Sequence, residues 1–407
     1  VEMCNGAGVC RKLDDGVMCP SFQATRDEKH STRGRANVLR AAISGRLGPK
    51  GLTSPAVYEV LDLCLSCQAC QSECPSAVDM SKLKAEALHH YYQAHGVPLR
   101  AWFFANIERF NKLGQPFAPL VNPILDRIGR ILLSPLGIHP NRQLPTFARQ
   151  PFSTWFRRRS PGNGTVTRPK VVFFHDIYME HNHPHIGQAA VKLLESAGFE
   201  PIVLEKRVDS GRPAISKGML NRAKQLATRN LALLAPYAQQ GIPIVGCEPS
   251  SMVMLVKEYP DLIPGEATQA VAEAALMLDE FLVRKAEVGT LALTFNDRPR
   301  SILFHGHCQQ KANFGTEYTK KMLELIPNSR VKETEAGCCG MAGAFGYEKE
   351  HYDLSIQIAE LGVAPEVRAA DPETIICAAG TSCRDQIEHT TGRKALHPVE
   401  VVAEALA

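Results

Sequence analysis

The most specific chemistry in this sequence lies in four closely spaced cysteines, Cys64-Leu-Ser-Cys67-Gln-Ala-Cys70-Gln-Ser-Glu-Cys74-Pro75, a C-x2-C-x2-C-x3-C-P spacing. Three thiolates at two-residue gaps on a tight loop reach three corners of one iron–sulfur cube, and the fourth cysteine is carried onward by a helix start that suits proline. A zinc site or chance spacing is the rival reading. A looser set precedes the run: Cys4-Asn-Gly-Ala-Gly-Val-Cys10, then Met18-Cys19-Pro20. In two-cluster ferredoxins the last cysteine of such a run serves the other cluster. By that exchange Cys64, Cys67 and Cys70 share a cluster with Cys19. Cys4, Cys10 and Cys74 then hold a second, one ligand short, with glycine where a middle cysteine would stand. The alternative is a single cluster on Cys64, Cys67, Cys70 and either Cys19 or Cys74, with Cys4 and Cys10 idle. The expected cofactor is one 4Fe-4S cluster, or two on the wider reading.

A third constellation is spread along the second half: His305-Gly306-His307-Cys308, Gly337-Cys338-Cys339-Gly340 and Gly380-Thr381-Ser382-Cys383-Arg384. Four thiolates on separate loops at one sheet edge could hold a metal or cluster, form a reactive dithiol pair, or persist as a structural relic. Adjacent cysteines face one site only in a strained turn, which the flanking glycines permit. His305 and His307 are either outer donors to that site or packed side chains. Cys247 and Cys377 end apolar runs and read as small buried hydrophobes. The cluster His181-Asn-His183-Pro-His185 reads as a polar loop, because its spacing has no metal-ligand logic. No G-x-G-x-x-G follows a strand and no Walker-type loop occurs, so no nucleotide site is expected. No residue is singled out as catalytic.

These residues need scaffolds. The chain has 407 residues, 44% hydrophobic and 22% charged, with a net charge of +4. That is room for two or three domains, with no support from charge for nucleic-acid binding. There is no apolar run of the roughly 18 residues that suggest a membrane span, and no signal peptide. All 13 cysteines belong to a chain without an export signal, and seven lie between Cys4 and Cys74. An odd count and paired C-x2-C spacing favour reduced, metal-holding thiolates over disulfides. The chain begins at Val1, almost on Cys4, which suggests a module whose upstream part is missing.

Residues 1–97 read as helical. One helix starts at Ser31 or Thr32, and another starts at Asp79 or Ser81 and stops at Gly96. Residues 98–168 form a proline-punctuated arm. From Arg100 to Lys170 it carries twelve Lys or Arg against two acids, interleaved with Phe, Trp and Leu. It reads as a connector wrapped over a neighbouring domain, or as a basic amphipathic surface for a membrane or partner. FRRRSPGNGTVTRPK reads as a linker. Strands and helices alternate from Lys170 and again from Arg300, which implies parallel sheets covered on both faces. The two stretches, 169–290 and 291–407, look like an internal repeat. Asp176 sits 132 residues before Cys308, Asp209 and Ser210 sit 129 before Cys338 and Cys339, and Ser251 sits 132 before Cys383. Each special position follows a strand, where parallel sheets gather their sites. One copy carries cysteines there and the other oxygens, so the first copy is expected to have lost its metal.

MCPSFQATRDEKHSTRGRANVLR and LDLCLSCQACQSECPSAVDMSKLKAEA resemble the ferredoxin-like segment of FAD-linked D-2-hydroxyacid dehydrogenases of the D-lactate, D-2-hydroxyglutarate and glycolate oxidase type. The third constellation resembles the cysteine-rich CCG domain of heterodisulfide reductases and of iron–sulfur subunits in glycolate and glycerol-3-phosphate oxidation. The likeness covers nearly the whole chain and is weakest from 98 to 168. It implies an α+β fold: an N-terminal α-helical ferredoxin-like domain followed by two repeated α/β parallel-sheet CCG-type units, the first without its cysteines. It also implies FAD on an upstream domain, in the same polypeptide or a partner subunit. The expected role is relay of electrons from reduced flavin to a quinone or an electron-transfer protein. The rivals are heterodisulfide-reductase-like thiol–disulfide chemistry at the CCG residues, or a CCG half acting as a docking scaffold. The expected location is cytoplasmic, with peripheral contact to the inner membrane face as the wider reading.

Overall fold

The structure, a computed structural model, describes residues 1–13, 16–159, 168–291 and 293–407. Part of the expected linker, 160–167, lies outside the described residues.

The N-terminal region is helical. Ser31 caps the helix Thr32–Ile43, its hydroxyl accepting the Gly34 N–H at 3.0 Å. Asp79 caps Met80–His95, and Gly96 ends it with φ 84°. Both boundaries follow from capping chemistry: a short oxygen side chain satisfies an orphan N–H at one end, and glycine tolerates positive φ at the other.

Two parallel sheets follow. The first has β1 (Lys170–Phe173), β2 (Glu200–Val203), β3 (Ile244–Gly246) and β4 (Ala275–Met277) in the order β2-β1-β3-β4. The second has β5 (Arg300–His305), β6 (Ser329–Glu333) and β7 (Ile375–Ala378) in the order β6-β5-β7. The common order, with the first strand of each unit between its next two, matches the expected repeat. The second unit has no fourth strand among the described residues; Leu396 makes a single parallel bridge to Cys377 where β4 pairs with β3 in the first unit. Within the second unit a helix runs from Tyr352 to Glu360. Glu348 and His351, ahead of it, are drawn into side-chain pairs with Lys217 and Asp62.

The sheets share one core. Phe173, Val245 and Phe281 of the first unit lie in the same buried cluster as Phe304, Cys377 and Val402 of the second. Cys247 and Cys377 are 2% and 0% exposed, packed as small hydrophobes. The arm is tied to this core from outside. Phe152 is fully buried against Phe173. Arg142, 1% exposed, donates to Gly346 O (2.7 Å), Gln386 Oε1 (2.6 Å) and Ser355 Oγ (2.9 Å). Between these anchors run the helices Ile107–Gly114 and Ala118–Leu132. Leu113, Phe117, Leu120, Ile124, Ile128 and Ile131 are all exposed. Their spacing of three or four residues makes one outward apolar stripe, while Val121 and Leu125 face a chamber inside. No helix among the described residues is long and apolar enough to cross a membrane.

Candidate metal centres

The ferredoxin-type run starts on a loop between the helices Pro55–Asp62 and Ala69–Ser72, a loop that carries Cys64 and Cys67; Cys70 lies in the second helix and Cys74 just after it. Ser66 and Gln68 adopt left-handed backbone, φ 52° and 64°, which coils the loop tightly. The loop is clamped from outside. Gln309 Nε2 and Arg212 Nη2 donate to Ser66 O at 2.9 and 3.4 Å, Gln68 Nε2 to Glu258 Oε1 at 2.7 Å, and Lys84 Nζ to Cys64 O at 2.6 Å. Cys64, Cys67 and Cys70 are buried together with Cys19 in one cluster. The Met80 N–H donates to Cys70 Sγ at 3.4 Å, and Arg35 Nη1 to Cys19 Sγ at 3.3 Å. Burial pushes the Cys67 thiol well up, and Cys308, Cys19 and Cys70 push it further; burial and Cys64 likewise raise Cys70. Thiols crowded in an apolar pocket ionise only beside compensating positive charge, and a soft metal supplies it. The donor set therefore fits an iron–sulfur cube.

Arg35 escaped the sequence reading. It is fully buried, among Cys19, Cys64 and Cys67, and its other donors go to Ser21 Oγ (2.8 Å) and Val60 O (3.1 Å). Its signal was a charge on the apolar face of a helix, in line with Thr32, Leu39 and Ala42.

The second set is looser. Cys10 is buried and accepts the Arg33 N–H at 3.3 Å; Cys4 is half-buried, with Arg40 bonded to its carbonyl. Burial raises the Cys10 thiol. Cys74 is half-buried too. Glu73, just before it, accepts the N–H groups of Val17 (2.7 Å) and Met18 (3.1 Å). The two cysteine segments are thereby pinned together.

The third constellation converges. Cys308 starts a helix after β5, Cys338 and Cys339 follow β6, and Cys383 lies in the first turn after β7. All four are buried. They interact in a chain. Cys338 lowers Cys308 to about 7 against its burial. Cys338, then Cys383, then His305 hold Cys339 well below the usual thiol range. Cys338 and Cys383 are pushed up by the same neighbours and by burial. His305 Nδ1 and Thr334 Oγ1 share a hydrogen bond at 2.9 Å, with Cys339 beside the ring, whereas His307 accepts the Gln309 N–H (3.2 Å) and caps the Cys308 helix. The cysteine turn needs its glycines. Gly340 has φ 83°, and a Cβ there would lie 2.3 Å from Ser355 O; a Cβ on Gly337 would lie 2.3 Å from Gly16 O, just upstream of Cys19. Cys308 and Cys338 accordingly share a buried cluster with Cys19, Cys64, Cys67 and Cys70.

The first unit repeats this layout with oxygens. Asp176, Asp209, Ser210 and Ser251 are all buried. Gly211 holds φ 93° where the second unit has Gly340. Ser251 Oγ bonds Ser210 Oγ at 3.3 Å, where Cys383 and Cys339 meet in the other copy. Glu248 joins the two sites, accepting the N–H and hydroxyl of Thr381 at 2.9 and 3.1 Å. The histidine cluster does not converge. His181 is buried against Gln115, not in a polar loop, while His185 faces Glu400 at 3.4 Å.

A family model described as a 4Fe-4S dicluster domain matches residues 1–78, and one described as a cysteine-rich domain, CCG, matches residues 302–388. One of the subunits of anaerobic glycerol-3-phosphate dehydrogenase from Escherichia coli K12 is 28% identical over 313 residues, covering 76% of this chain and 78% of that protein. D-2-hydroxyglutarate dehydrogenase of Pseudomonas putida is 27% identical over 98% of this chain, which spans 43% of the relative's length. The glycolate oxidase iron-sulfur subunit of E. coli K12 is 23% identical, covering 100% of this chain and 94% of that protein. The chain thus joins a 4Fe-4S dicluster domain to a CCG cysteine-rich domain and is a relative of these oxidoreductase proteins, an iron-sulfur subunit among them.

Proposed function

We propose that this chain is the electron-relay portion of an FAD-dependent 2-hydroxyacid dehydrogenase of the D-lactate or D-2-hydroxyglutarate class, with the flavin and substrate on an upstream domain. The division is 1–97 for the ferredoxin-like domain, 98–168 for the arm, and 169–290 and 291–407 for the two α/β units. Cys19, Cys64, Cys67 and Cys70 hold one cluster, Cys4, Cys10 and Cys74 contribute to a second, and Cys308, Cys338, Cys339 and Cys383 hold a further metal centre. A 4Fe-4S cluster supplies one-electron storage between a two-electron donor and an acceptor. The protein's part is to exclude water, clamp the loop through Ser66 and Gln68, and set Arg35 beside the thiolates, where its charge favours the electron-rich state.

The observation that carries this reading is the single buried cluster uniting Cys19, Cys64, Cys67 and Cys70 with Cys308 and Cys338. Among the described residues Glu348, Glu350 and His351 also bring three ligand atoms within 4.8 Å of one another, but this group is already paired with Arg100, Lys217 and Asp62. Iron and sulfide quantitation on anaerobically purified protein tests the assignment: about four irons per cubane, with Cys67→Ser removing one cubane's worth. Iron-free protein that still carries electrons from the flavin overturns it.

Thiol–disulfide chemistry at the CCG residues is the second reading, favoured by the ionisation-prone Cys308 and Cys339. It requires Cys339→Ala to abolish turnover while the ferredoxin-type signals remain. The exposed stripe from Leu113 to Ile131, flanked by Arg109, Lys112 and Arg127, supports peripheral contact with an anionic lipid surface. Ile124→Glu with Ile128→Glu is then expected to cut sedimentation with anionic vesicles at least fivefold, at unchanged iron content.

A further inference from the structure

Two cations of the ferredoxin-like domain are buried beside its thiols. Arg35 is fully buried, and it donates to Cys19 Sγ (3.3 Å), Ser21 Oγ (2.8 Å) and Val60 O (3.1 Å). Lys84 is 9% exposed, and its ammonium donates to the carbonyl oxygens of Asp62 (3.0 Å) and Cys64 (2.6 Å). None of these five acceptors is a carboxylate. The Asp62 carboxylate bonds His351 instead, at 2.7 Å. Arg212, which also reaches this loop, differs: Glu258 lies 3.7 Å from it. A buried charge with no opposite charge to meet it is strongly unfavourable, so Arg35 and Lys84 call for a negative group between them. Arg35 lies among Cys19, Cys64 and Cys67, and Lys84 holds Cys64 by its carbonyl. A cubane on four thiolates carries about two negative charges when oxidised and about three when reduced. Two cations therefore balance the oxidised centre and attract the added electron.

The outer set of thiols is surrounded differently. Of the thirteen cysteines only Cys4 and Cys74 are not buried. Nearby cations are partly exposed and paired with acids: Arg11 and Arg33 with Glu28 (2.9 and 2.8 Å), and Lys12 with Glu73 (3.3 Å). Arg40, also partly exposed, bonds the carbonyl oxygens of Val1 and Cys4. Donors to sulfur differ as well. Arg35 and Thr32 (3.9 Å) reach Cys19 Sγ and the Met80 N–H reaches Cys70 Sγ (3.4 Å), whereas on the outer side the Arg33 N–H reaches Cys10 Sγ (3.3 Å).

We infer that Arg35 and Lys84 are the counter-ions of the centre on Cys19, Cys64, Cys67 and Cys70, and that they set its potential above that of the Cys4, Cys10 and Cys74 set, so that electrons pass inward. The inference rests on the relay proposed above and supplies its direction. Entry is at the solvent-facing thiols, and collection is at the buried ones, which share a cluster with Cys308. Net charge, hydrogen bonds to sulfur and solvent exposure set a cluster's potential. Burial alone would lower the potential of the inner centre, because reduction adds charge where water is excluded. The two cations and the sulfur-directed donors reverse that sign. Each transfer moves one electron: the outer centre is oxidised and the inner one reduced, and no bond or proton changes place. Arg35 and Lys84 thus act as positioning residues for charge and touch no substrate.

The test is a potentiometric titration of the anaerobically purified holoprotein, followed by low-temperature EPR. Cys67→Ser marks which signal belongs to the inner centre. At the parent's midpoint Arg35→Gln is expected to lower the reduced-to-oxidised ratio of that centre by about tenfold or more, a shift of about 59 mV for one electron. Lys84→Met is expected to lower it by about threefold or more, and it carries the test where Arg35→Gln fails to fold. Arg35→Lys keeps the charge and should stay within about threefold of the parent, while Arg40→Gln, beside Cys4, should change the inner ratio by less than about twofold. An inner ratio unchanged in both Arg35→Gln and Lys84→Met, at parental iron content, overturns the counter-ion role. So does a loss that Arg35→Lys leaves unrestored, since packing then explains it. A first reducing equivalent found in a signal that survives Cys67→Ser overturns the inward direction, as does a ferredoxin-like domain holding a single cluster. Iron-free parent protein refutes the relay itself, whereas iron-loaded protein with unshifted variants refutes only the counter-ions.

Discussion

The two α/β units share a strand order, a spacing of about 130 residues and a left-handed glycine at the same turn, yet one is lined with sulfur and the other with oxygen. The comparison separates scaffold from ligand. Gly211 and Gly340 answer to the backbone, which must turn sharply after the second strand of each unit whatever the neighbouring side chains bind. The residues at the matching positions answer to chemistry: soft thiolates suit iron, whereas two carboxyls and a serine pair do not. In place of thiolates the first unit carries a buried, hydrogen-bonded polar floor.

The largest effect that could break this comparison is on metal content. Cys339→Ala should remove the iron held by the second unit, while Ser210→Ala at the matching position should leave iron per chain unchanged, read by metal analysis and low-temperature EPR. A smaller difference lies in the glycines. Left-handed backbone costs an alanine about 1–2 kcal/mol. In Gly340→Ala the new Cβ also meets Ser355 O, so a total of about 2–5 kcal/mol is expected. In Gly211→Ala the nearest atom is the flexible end of Met254 at 3.3 Å, so only the backbone cost of about 1–2 kcal/mol applies. Urea midpoints of the two variants sharpen the point.

The smallest effect is a pH dependence confined to the oxygen-bearing unit. Burial, with Glu108, raises Asp209 to about 7 in the folded protein, from the ordinary carboxylate range in the unfolded chain. The folded state therefore binds more protons, and this contribution is intact below pH 4 and lost as pH rises through 7. Asp209→Asn should raise the melting temperature at pH 8 and change nothing at pH 4.

Much of this was legible beforehand because it is local. Cysteine spacing announces a cube, and caps at Ser31, Asp79 and Gly96 announce helix ends. Strand–helix alternation announced parallel sheets, and fixed offsets announced the repeat. What escaped depends on distant partners. Ala275–Met277 lies in an alanine-rich stretch with helices on both sides and becomes a strand only by pairing with Ile244–Gly246. Arg35 could be read as a surface cation until its helix face was packed on the thiols. The cavity touching Ser66, Asp176, Asp209, Cys308 and Thr381 draws its walls from eight separated stretches, and no window of sequence contains it.

Gly337 carries a final consequence. Its Cα rests so near the chain at Gly16 that even a methyl group would not fit. In the proposed relay, the gap between the two cysteine-lined centres is thereby fixed by main chain against main chain, so it cannot drift as side chains change rotamer. Any residue larger than glycine there would act as a spacer in the wire.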